Sequence, residues 1–350
     1  KFDTSKVTTM SSMFYGCKQL KYINFSNIDT SSVISMYDMF DECNSLTSLD
    51  LSNFSTSRVT DMAYMFANCY SLASLNLSAF DTSCVESISY MFYKCSSLTS
   101  LDLTNFKTES LHYMGSLFSG CSSLKSLNLS NFKTTNLYDI SEMFNYCSSL
   151  ISLDLGHLDF SQIYNMYGVF SDCHSLTYID LSNYYAYFPY NFGYMFFRCY
   201  SLTSIDISNF YINYAYMDYC FSDCISLKKI IFPKKVKLSN ADYMFSGCSS
   251  LTSIDLSSFD FDSCWSLSNF FSGCSSLTSI KIDIKSYSLT NVESMFSGCV
   301  SLISLDLSNM QIPYVNNIND MFYDCSSLIY LNIDNLDTSL VTEMKNIFFN

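Results

Sequence analysis

The chain is poor in the residues that build flexible linkers and in the residues that most often carry catalysis. Its 350 residues include nine glycines, three prolines, three histidines and one tryptophan. So few glycines and prolines leave no visible flexible linker. The sequence also lacks the run of about 18 apolar residues that a transmembrane helix requires. We therefore expect a continuously structured chain with no transmembrane segment.

Recognisable catalytic and cofactor-binding motifs are also missing. His112, His157 and His174 lie in separate repeats, and none lies in a motif that pairs it with a nucleophile. The cysteines form no C-x-x-C pairs of the kind that bind zinc. No glycine-rich phosphate loop is present either. A hydrolase would need a convergent polar site, which the sequence does not show, so we expect no enzymatic activity and no cofactor.

Positive charge is scarce as well. The chain carries 18 Lys and Arg against 32 Asp and Glu, which gives a formal net charge of -14 and a pI near 4.4. Such an acidic chain is repelled by phosphate backbones and by anionic lipids. We therefore expect neither a nucleic-acid partner nor binding to an anionic membrane surface.

What the chain does contain is a repeat. A Phe-x-x-Cys motif returns every 24 to 26 residues through the whole sequence. It begins with Phe14 and Cys17, Phe40 and Cys43, Phe66 and Cys69, and Phe92 and Cys95, and it continues to Phe322 and Cys325. A fixed period of this length predicts a solenoid in place of separate globular domains. Residues 1–350 are thus expected to form one solenoid of about 13.5 coils with no visible caps.

Each repeat has two parts that predict secondary structure. After each cysteine the apolar spacing L-x-x-L-x-L appears, as in Leu98 to Leu103, and its alternation predicts a short strand. Before each cysteine lies a segment such as Val59 to Phe66, where Met62, Met65 and Phe66 have helical spacing. The expected fold is an α/β repeat solenoid with a parallel β-sheet on one side and short helical or 3₁₀ segments on the other.

The cysteines are expected to be core residues. The thirteen that follow Phe-x-x occupy one repeat position, so we expect reduced thiols packed beside a stack of phenylalanine rings. Disulfides between neighbouring coils remain an alternative, since equivalent residues lie about 5 Å apart. Cys84 and Cys264 fall outside this series, in turns predicted to be exposed, where they could link molecules.

The outward position of the predicted strands is rich in Asp and Asn. We call this column, with the Ser and Thr residues that flank it, the polar face. Its residues are Asn24, Asp50, Asn76, Asp102, Asn128, Asp154, Asp180, Asp206, Ile231, Asp255, Lys281, Asp306 and Asn332. Asp154, Asp180 and Asp206 are consecutive carboxylates and form a weak candidate cation site. The alternative is a solvated polar surface without a bound ion.

Several asparagines on or near the polar face lie in Asn-x-Ser sequons. Asn24, Asn76 and Asn128 are spaced two coils apart, and Asn53 is close to the column. These residues are candidate N-glycosylation sites if the chain follows a eukaryotic secretory route. An Asn column beside a Ser column also produces such triplets by chance.

The repeat is least regular between Cys199 and Cys248. Ile231 stands there in the Asp/Asn column and is followed by Phe232-Pro233-Lys234-Lys235. Two interpretations are open: a degenerate coil, or a local bend that contacts a partner.

The motif M-F-x-x-C-x-S-L-x-x-L-D-L-S-x-F-D-T-S-x-V-T-x-M, seen from Met39 to Met65, resembles the 26-residue bacterial surface protein repeat of BspA-like leucine-rich repeat proteins. The resemblance implies an extracellular, secreted or cell-surface protein without enzymatic activity. Two versions of that function are open. The chain could be a structural solenoid that assembles with itself, end to end or laterally, in a fibre. The alternative is a segment of a surface adhesin whose polar face binds a host protein or glycan.

Overall fold

The computed structural model describes residues 3–134, 136–187 and 189–349. Two compact units can be distinguished. The first unit comprises Lys1–Ile163 and Asp172–Ile179, and the second comprises Tyr164–Ser171 and Asp180–Asn350. Each unit is a stack of coils in which neighbouring coils pair in parallel, so the chain folds as a parallel β-solenoid.

The strands are short. Within the described residues they are β1 (Ser126–Asn128), β2 (Ser152–Asp154), β3 (Ser204–Asp206), β4 (Ile212–Tyr216), β5 (Lys229–Ile231), β6 (Val236–Asn240), β7 (Ser253–Asp255), β8 (Phe259–Asp260), β9 (Ser279–Lys281), β10 (Ser304–Asp306) and β11 (Tyr330–Asn332). Eight of them lie at the predicted L-x-L position, which confirms parallel strands there.

The register keeps each residue beside its equivalent in the next coil. In the first unit β1 pairs with β2, and Leu127 lies opposite Leu153. In the second unit β3 pairs with β5, β7 with β9, and β10 with β11. A separate three-stranded sheet, in the order β4-β6-β8, lies in the second unit at a different repeat position.

The predicted helical or 3₁₀ segments are absent from the described residues, so the α/β assignment is wrong. The segment before each cysteine is a series of tight turns. Met65, Ala67 and Cys69 each donate their backbone N–H to the carbonyl three residues earlier in the same coil. The alternate residues donate to carbonyls of the next coil: Tyr64 N–H to Ser89 and Phe66 N–H to Met91, both at 3.0 Å. A helix cannot form because alternate donors leave the coil.

The backbone dihedrals give a second reason for the missing helix. Each coil has a left-handed residue two positions before the phenylalanine and another directly before the cysteine. In one coil these are Tyr64, with φ of 59°, and Asn68, with φ of 56°. A right-handed helix cannot continue through such residues. The apolar spacing of Met62, Met65 and Phe66 therefore produces a common buried edge without helical turns.

The core of each unit contains a stack of phenylalanine rings. In the first unit Phe40, Phe66 and Phe92 are fully buried, and successive rings are nearly parallel with centroids 5.7 and 5.9 Å apart. Phe14 begins this stack, 5.4 Å from Phe40. The second unit repeats the arrangement, with 5.7 Å between Phe221 and Phe245. Offset stacking of this kind adds to the free energy gained by burial.

A buried threonine ladder distinguishes the first unit. Thr82 Oγ1 accepts the N–H of Lys107 at 2.8 Å and donates to the carbonyl of the same residue at 2.8 Å. The same double contact recurs at Thr30, Thr56 and Thr108. One hydroxyl thus satisfies both backbone groups of a residue in the next coil. In the second unit Ile212 and Val236 occupy this repeat position in two neighbouring coils, and they pair there as part of β4 and β6.

The threonine ladder predicts different effects for two conservative substitutions. Thr82→Val keeps the shape but leaves both backbone groups of Lys107 without their partner, so the free energy of unfolding should fall by about 1–3 kcal/mol. Thr82→Ser keeps the hydroxyl and loses only a methyl group, so the expected loss is about 1 kcal/mol or less. Urea unfolding of both variants measures the difference. A Val variant as stable as the Ser variant would contradict the role of the hydroxyl.

Candidate functional site

The Asp/Asn column of the polar face has a structural role in every regular coil. Each side chain accepts a hydrogen bond from the backbone N–H two residues later and so fixes the turn after the strand. Asp50 Oδ1 accepts from Ser52 at 3.0 Å, and Asn76 Oδ1 accepts from Ser78 at 3.0 Å. The same contact is made by Asn24, Asp102, Asn128, Asp154, Asp180, Asp206, Asp255, Asp306 and Asn332.

These contacts lower the pKa of several carboxylates in the column and so favour their ionised form. The backbone and hydroxyl of Ser52 hold the pKa of Asp50 below its ordinary value. The hydroxyl and backbone of Thr104 do the same for the pKa of Asp102. Ser257, helped by Lys281, lowers the pKa of Asp255 to about 2. The polar face therefore presents negative charge at neutral pH, interspersed with neutral amides.

The candidate cation residues have the same hydrogen bonds as the rest of the column. Asp154 accepts the N–H of Gly156 at 2.9 Å, and Asp180 accepts the N–H and Oγ–H of Ser182. Asp206 accepts the N–H of Ser208 at 2.9 Å. Among the described residues, no group of three or more His, Cys, Asp or Glu side chains is arranged to hold a metal ion. The turn contact uses one oxygen of each carboxylate, and cation binding by the three residues stays a prediction.

The four sequon asparagines are all exposed. In Asn24, Asn76 and Asn128 the Oδ1 atom accepts the N–H of the sequon serine two residues later. Fixing Oδ1 in this way directs the Nδ2 amide, the atom that carries an N-linked sugar, away from the turn. Asn53 lies one residue after Ser52 and does not belong to the column. Glycosylation of the four residues stays a prediction.

The repeated cysteine makes a specific hydrogen bond as well as filling space. Cys95 Sγ–H donates to the Phe66 carbonyl of the preceding coil at 3.2 Å. That carbonyl also accepts the N–H of Cys69, which is three residues later in its own coil. The Phe-x-x-Cys spacing follows from this geometry, because one carbonyl closes a turn and receives the thiol of the next coil. The contact recurs at every ladder cysteine from Cys43 to Cys325.

The environment of the ladder makes its thiols unreactive. Burial raises the pKa of Cys43 to about 12 and raises the pKa of Cys95 well above its ordinary value. Thiolate formation at neutral pH is thereby suppressed. Cys17, in the first ladder position, and Cys84 are exposed. The prediction that Cys264 is exposed is wrong: it is buried, and its Sγ–H donates to the Ser266 carbonyl at 3.2 Å because the chain turns inward there.

The coil with Ile231 in the column has lost both partners of the turn contact at once. Ile231 has no side-chain acceptor, and Pro233, two residues later, has no backbone N–H to donate. Removing donor and acceptor together leaves no unpaired group, so the change costs little stability. Because one substitution removes the acceptor and the other removes its donor, the pair favours a reshaped turn over a randomly degenerate coil.

Comparison with known proteins identifies the family. The description "Mycoplasma protein of unknown function, DUF285" matches residues 1–100, 71–184 and 239–350, which is well over half of the chain. The chain belongs to this family. Residues 167–268 also match the BspA type leucine rich repeat region, in six copies, which confirms the resemblance to BspA-like proteins. No relative was found among curated proteins.

Several solved structures resemble this chain, and two of them are described as leucine-rich proteins. One from Bacteroides ovatus ATCC 8483 is 22% identical over 89% of this chain and 81% of its own, with a TM-score of 0.44. A leucine rich cell surface protein from Faecalibacterium prausnitzii A2-165 is 19% identical over 84% and 82%, with a TM-score of 0.37. The functional domain of InlJ from Listeria monocytogenes, described as including a cysteine ladder, is 16% identical over 85% and 60%, with a TM-score of 0.23.

The buried ladder predicts a two-class thiol titration. In the native protein a thiol reagent such as dithionitrobenzoate should modify Cys17 and Cys84 rapidly, because these are the two exposed cysteines. The remainder should react only after unfolding in guanidinium chloride, when all 16 cysteines of the sequence titrate. Absorbance at the reagent's thiolate band gives both counts. A low count in the unfolded, unreduced protein would show that the ladder is oxidised and would contradict the S–H···O contacts.

Proposed function

We propose that the protein is a non-enzymatic extracellular or cell-surface solenoid that binds a surface protein or glycan through its polar face. The proposal rests on how each Asp or Asn side chain of the column uses its two polar atoms. One side-chain oxygen of each Asp or Asn holds the turn, and the second polar atom does not take part in it; at Asp255 this second atom, Oδ2, pairs with Lys281. The family membership and the BspA type repeat support a surface role for the chain.

The polar face of the first unit is a regular array of hydrogen-bonding groups. Exposed Asp50, Asn76 and Asp102 lie at equivalent positions in successive coils. Exposed serines flank them on both sides, including Ser48, Ser52, Ser74, Ser78 and Ser100. Equivalent residues in paired coils lie about 5 Å apart. The array therefore offers donors and acceptors at a fixed spacing over several coils.

Rigid presentation favours binding by such a surface. The turn contacts fix the Asp and Asn rotamers before a partner arrives, so little side-chain entropy is lost on association. The face is polar and negatively charged, which suits a partner with hydroxyl or amide groups or with basic side chains. Within the described residues no helix is long and apolar enough to cross a membrane.

Substitutions on the polar face test this function. Ser74→Arg combined with Ser100→Arg places two long side chains across the array, and we expect binding to immobilised extracellular-matrix proteins and surface glycans to weaken at least about tenfold. Ser57→Arg combined with Ser83→Arg adds the same charge outside the array and serves as the control. Biolayer interferometry measures both variants beside the unmodified protein. Equal loss in both variants, or no binding by the unmodified protein, would contradict the proposal.

A further inference from the structure

A basic cluster interrupts this acidic chain in the second unit. Lys228, Lys229, Lys234, Lys235 and Lys237 lie within ten residues that contain no Asp or Glu. These are five of the 18 basic residues in the whole sequence. The cluster lies on both sides of Ile231 and Pro233, the two residues that replace the acceptor and the donor of the turn contact. The reshaped turn and the change of charge therefore occur in the same place.

The reshaped turn forms one wall of a groove. The groove has a volume of about 480 Å³ and runs between the β5–β6 turn and strand β4. Tyr211 and Tyr214 contribute from the β4 side, and Lys234, Lys235 and Lys237 contribute from the turn and from β6. The two tyrosine side chains are 57% and 50% exposed, so their rings are available to a ligand. This volume lies within the usual range of small-ligand sites.

Strand β4 has a bulge that positions one of these rings. Ile212 pairs with Val236 and Ala215 with Leu238, so two residues of β4 lie opposite one residue of β6. The bulge includes Tyr214, whose φ is 55°. Every other described non-glycine residue with positive φ occupies one of the two left-handed positions of the repeat. A bulky side chain held in this conformation away from those positions is an outlier of the kind that accompanies function.

Neighbouring side chains hold the bulge in place. Ser239 Oγ–H donates to the Tyr214 carbonyl at 2.9 Å. Lys237 Nζ lies 5.1 Å from the centroid of the Tyr214 ring and 3.2 Å from Asp260 Oδ2. Lys237 is thus engaged in fixing the ring. Lys234 and Lys235 are exposed and, within the part of the chain that the structure describes, have no ion pair, so their charges are available to a ligand.

We propose that this groove binds a carboxylate- or sulfate-bearing sugar unit of a short acidic oligosaccharide. The apolar face of the sugar ring packs against Tyr211 and Tyr214, and the anionic substituent pairs with Lys234 and Lys235. A short anionic segment fits better than an extended polyanion, because the net charge of -14 repels the flanking parts of nucleic acid or of an anionic membrane. None of the residues that line the groove belongs to the Asp/Asn column, and binding in the groove does not depend on the role proposed for the polar face.

Isothermal titration of the whole chain with a chondroitin sulfate tetrasaccharide at low ionic strength tests the site. We expect saturable binding that weakens with added NaCl, because screening reduces the lysine contacts. Lys234→Gln combined with Lys235→Gln, and separately Tyr211→Ala, should each weaken binding at least about tenfold. Lys125→Gln combined with Lys133→Gln removes two exposed lysines of the first unit and should leave the affinity unchanged. Circular dichroism checks that each variant is folded.

Three competing ligands separate the alternatives. Neutral chitotetraose should bind more weakly than the sulfated sugar, because it has no group for Lys234 and Lys235. Hexaglutamate and phosphatidylserine vesicles should bind weakly and without dependence on Tyr211. Equal affinity for the sulfated and neutral sugars would overturn the role of the lysines. Tighter binding of the peptide or the vesicles than of the sulfated sugar, or equal loss in the Lys125/Lys133 control, would overturn the proposal as a whole.

Discussion

The alternation of backbone hydrogen-bond donors in the turn segment is the constraint on which the rest of the structure depends. Residues at even positions from Met62 to Asn68 donate to the next coil, and those between them donate within their own coil. Every donor is thereby satisfied without a helix and without a long sheet. Two left-handed residues per coil make the alternation possible. The register between the turn segments of neighbouring coils is fixed as a result, since a one-residue slip would exchange the two sets of donors.

The other ladders follow from that register. Equivalent residues lie directly above one another, so phenylalanine rings stack and each ladder cysteine reaches the phenylalanine carbonyl of the preceding coil. The polar face repeats at the same interval because the Asx contact fixes each strand end. Where the coil is shortened, at Ile231 and Pro233, the donor and the acceptor of that contact disappear together. The structure accommodates the change by a bulge in β4, and the aromatic and basic groove results.

Much of this architecture could be predicted from the sequence, because period and apolar spacing are directly visible in it. The parallel strands at Leu127 and Leu153 are an example. The turn segment was not predicted because Met62, Met65 and Phe66 have helical spacing and Tyr64 gives no sign of a left-handed conformation. The glycines directly before several cysteines, such as Gly16 and Gly120, were the available signal for the second left-handed position. Hydrogen bonds between coils join residues about 26 positions apart, and local secondary-structure propensity carries no information about such distant pairs.

The candidate surfaces, too, could be predicted from the sequence only in part. The polar face was visible as an Asp/Asn column, but the turn contact that occupies one oxygen of each side chain was not. The irregularity at Ile231 was visible, although the groove was not, because Tyr211 and Tyr214 approach the lysines of the following coil only through the bulge. The burial of Cys264 was missed because its repeat position matches that of exposed Cys84, while the path of the backbone at the two positions differs.

Residue-resolved native hydrogen exchange tests the central claim most directly. In the first unit, the described residues before β1 pair only through isolated bridges, and these lie next to the turn segments. The amides of Tyr64, Phe66 and Asn68 should therefore exchange only when several coils open together. The amides of Ser74 and Asn76, at the outward strand positions, should exchange faster. The opposite order, with slow exchange at Ser74 and Asn76 and fast exchange in the turn segment, would show that the sheet holds the coils together and would contradict the account.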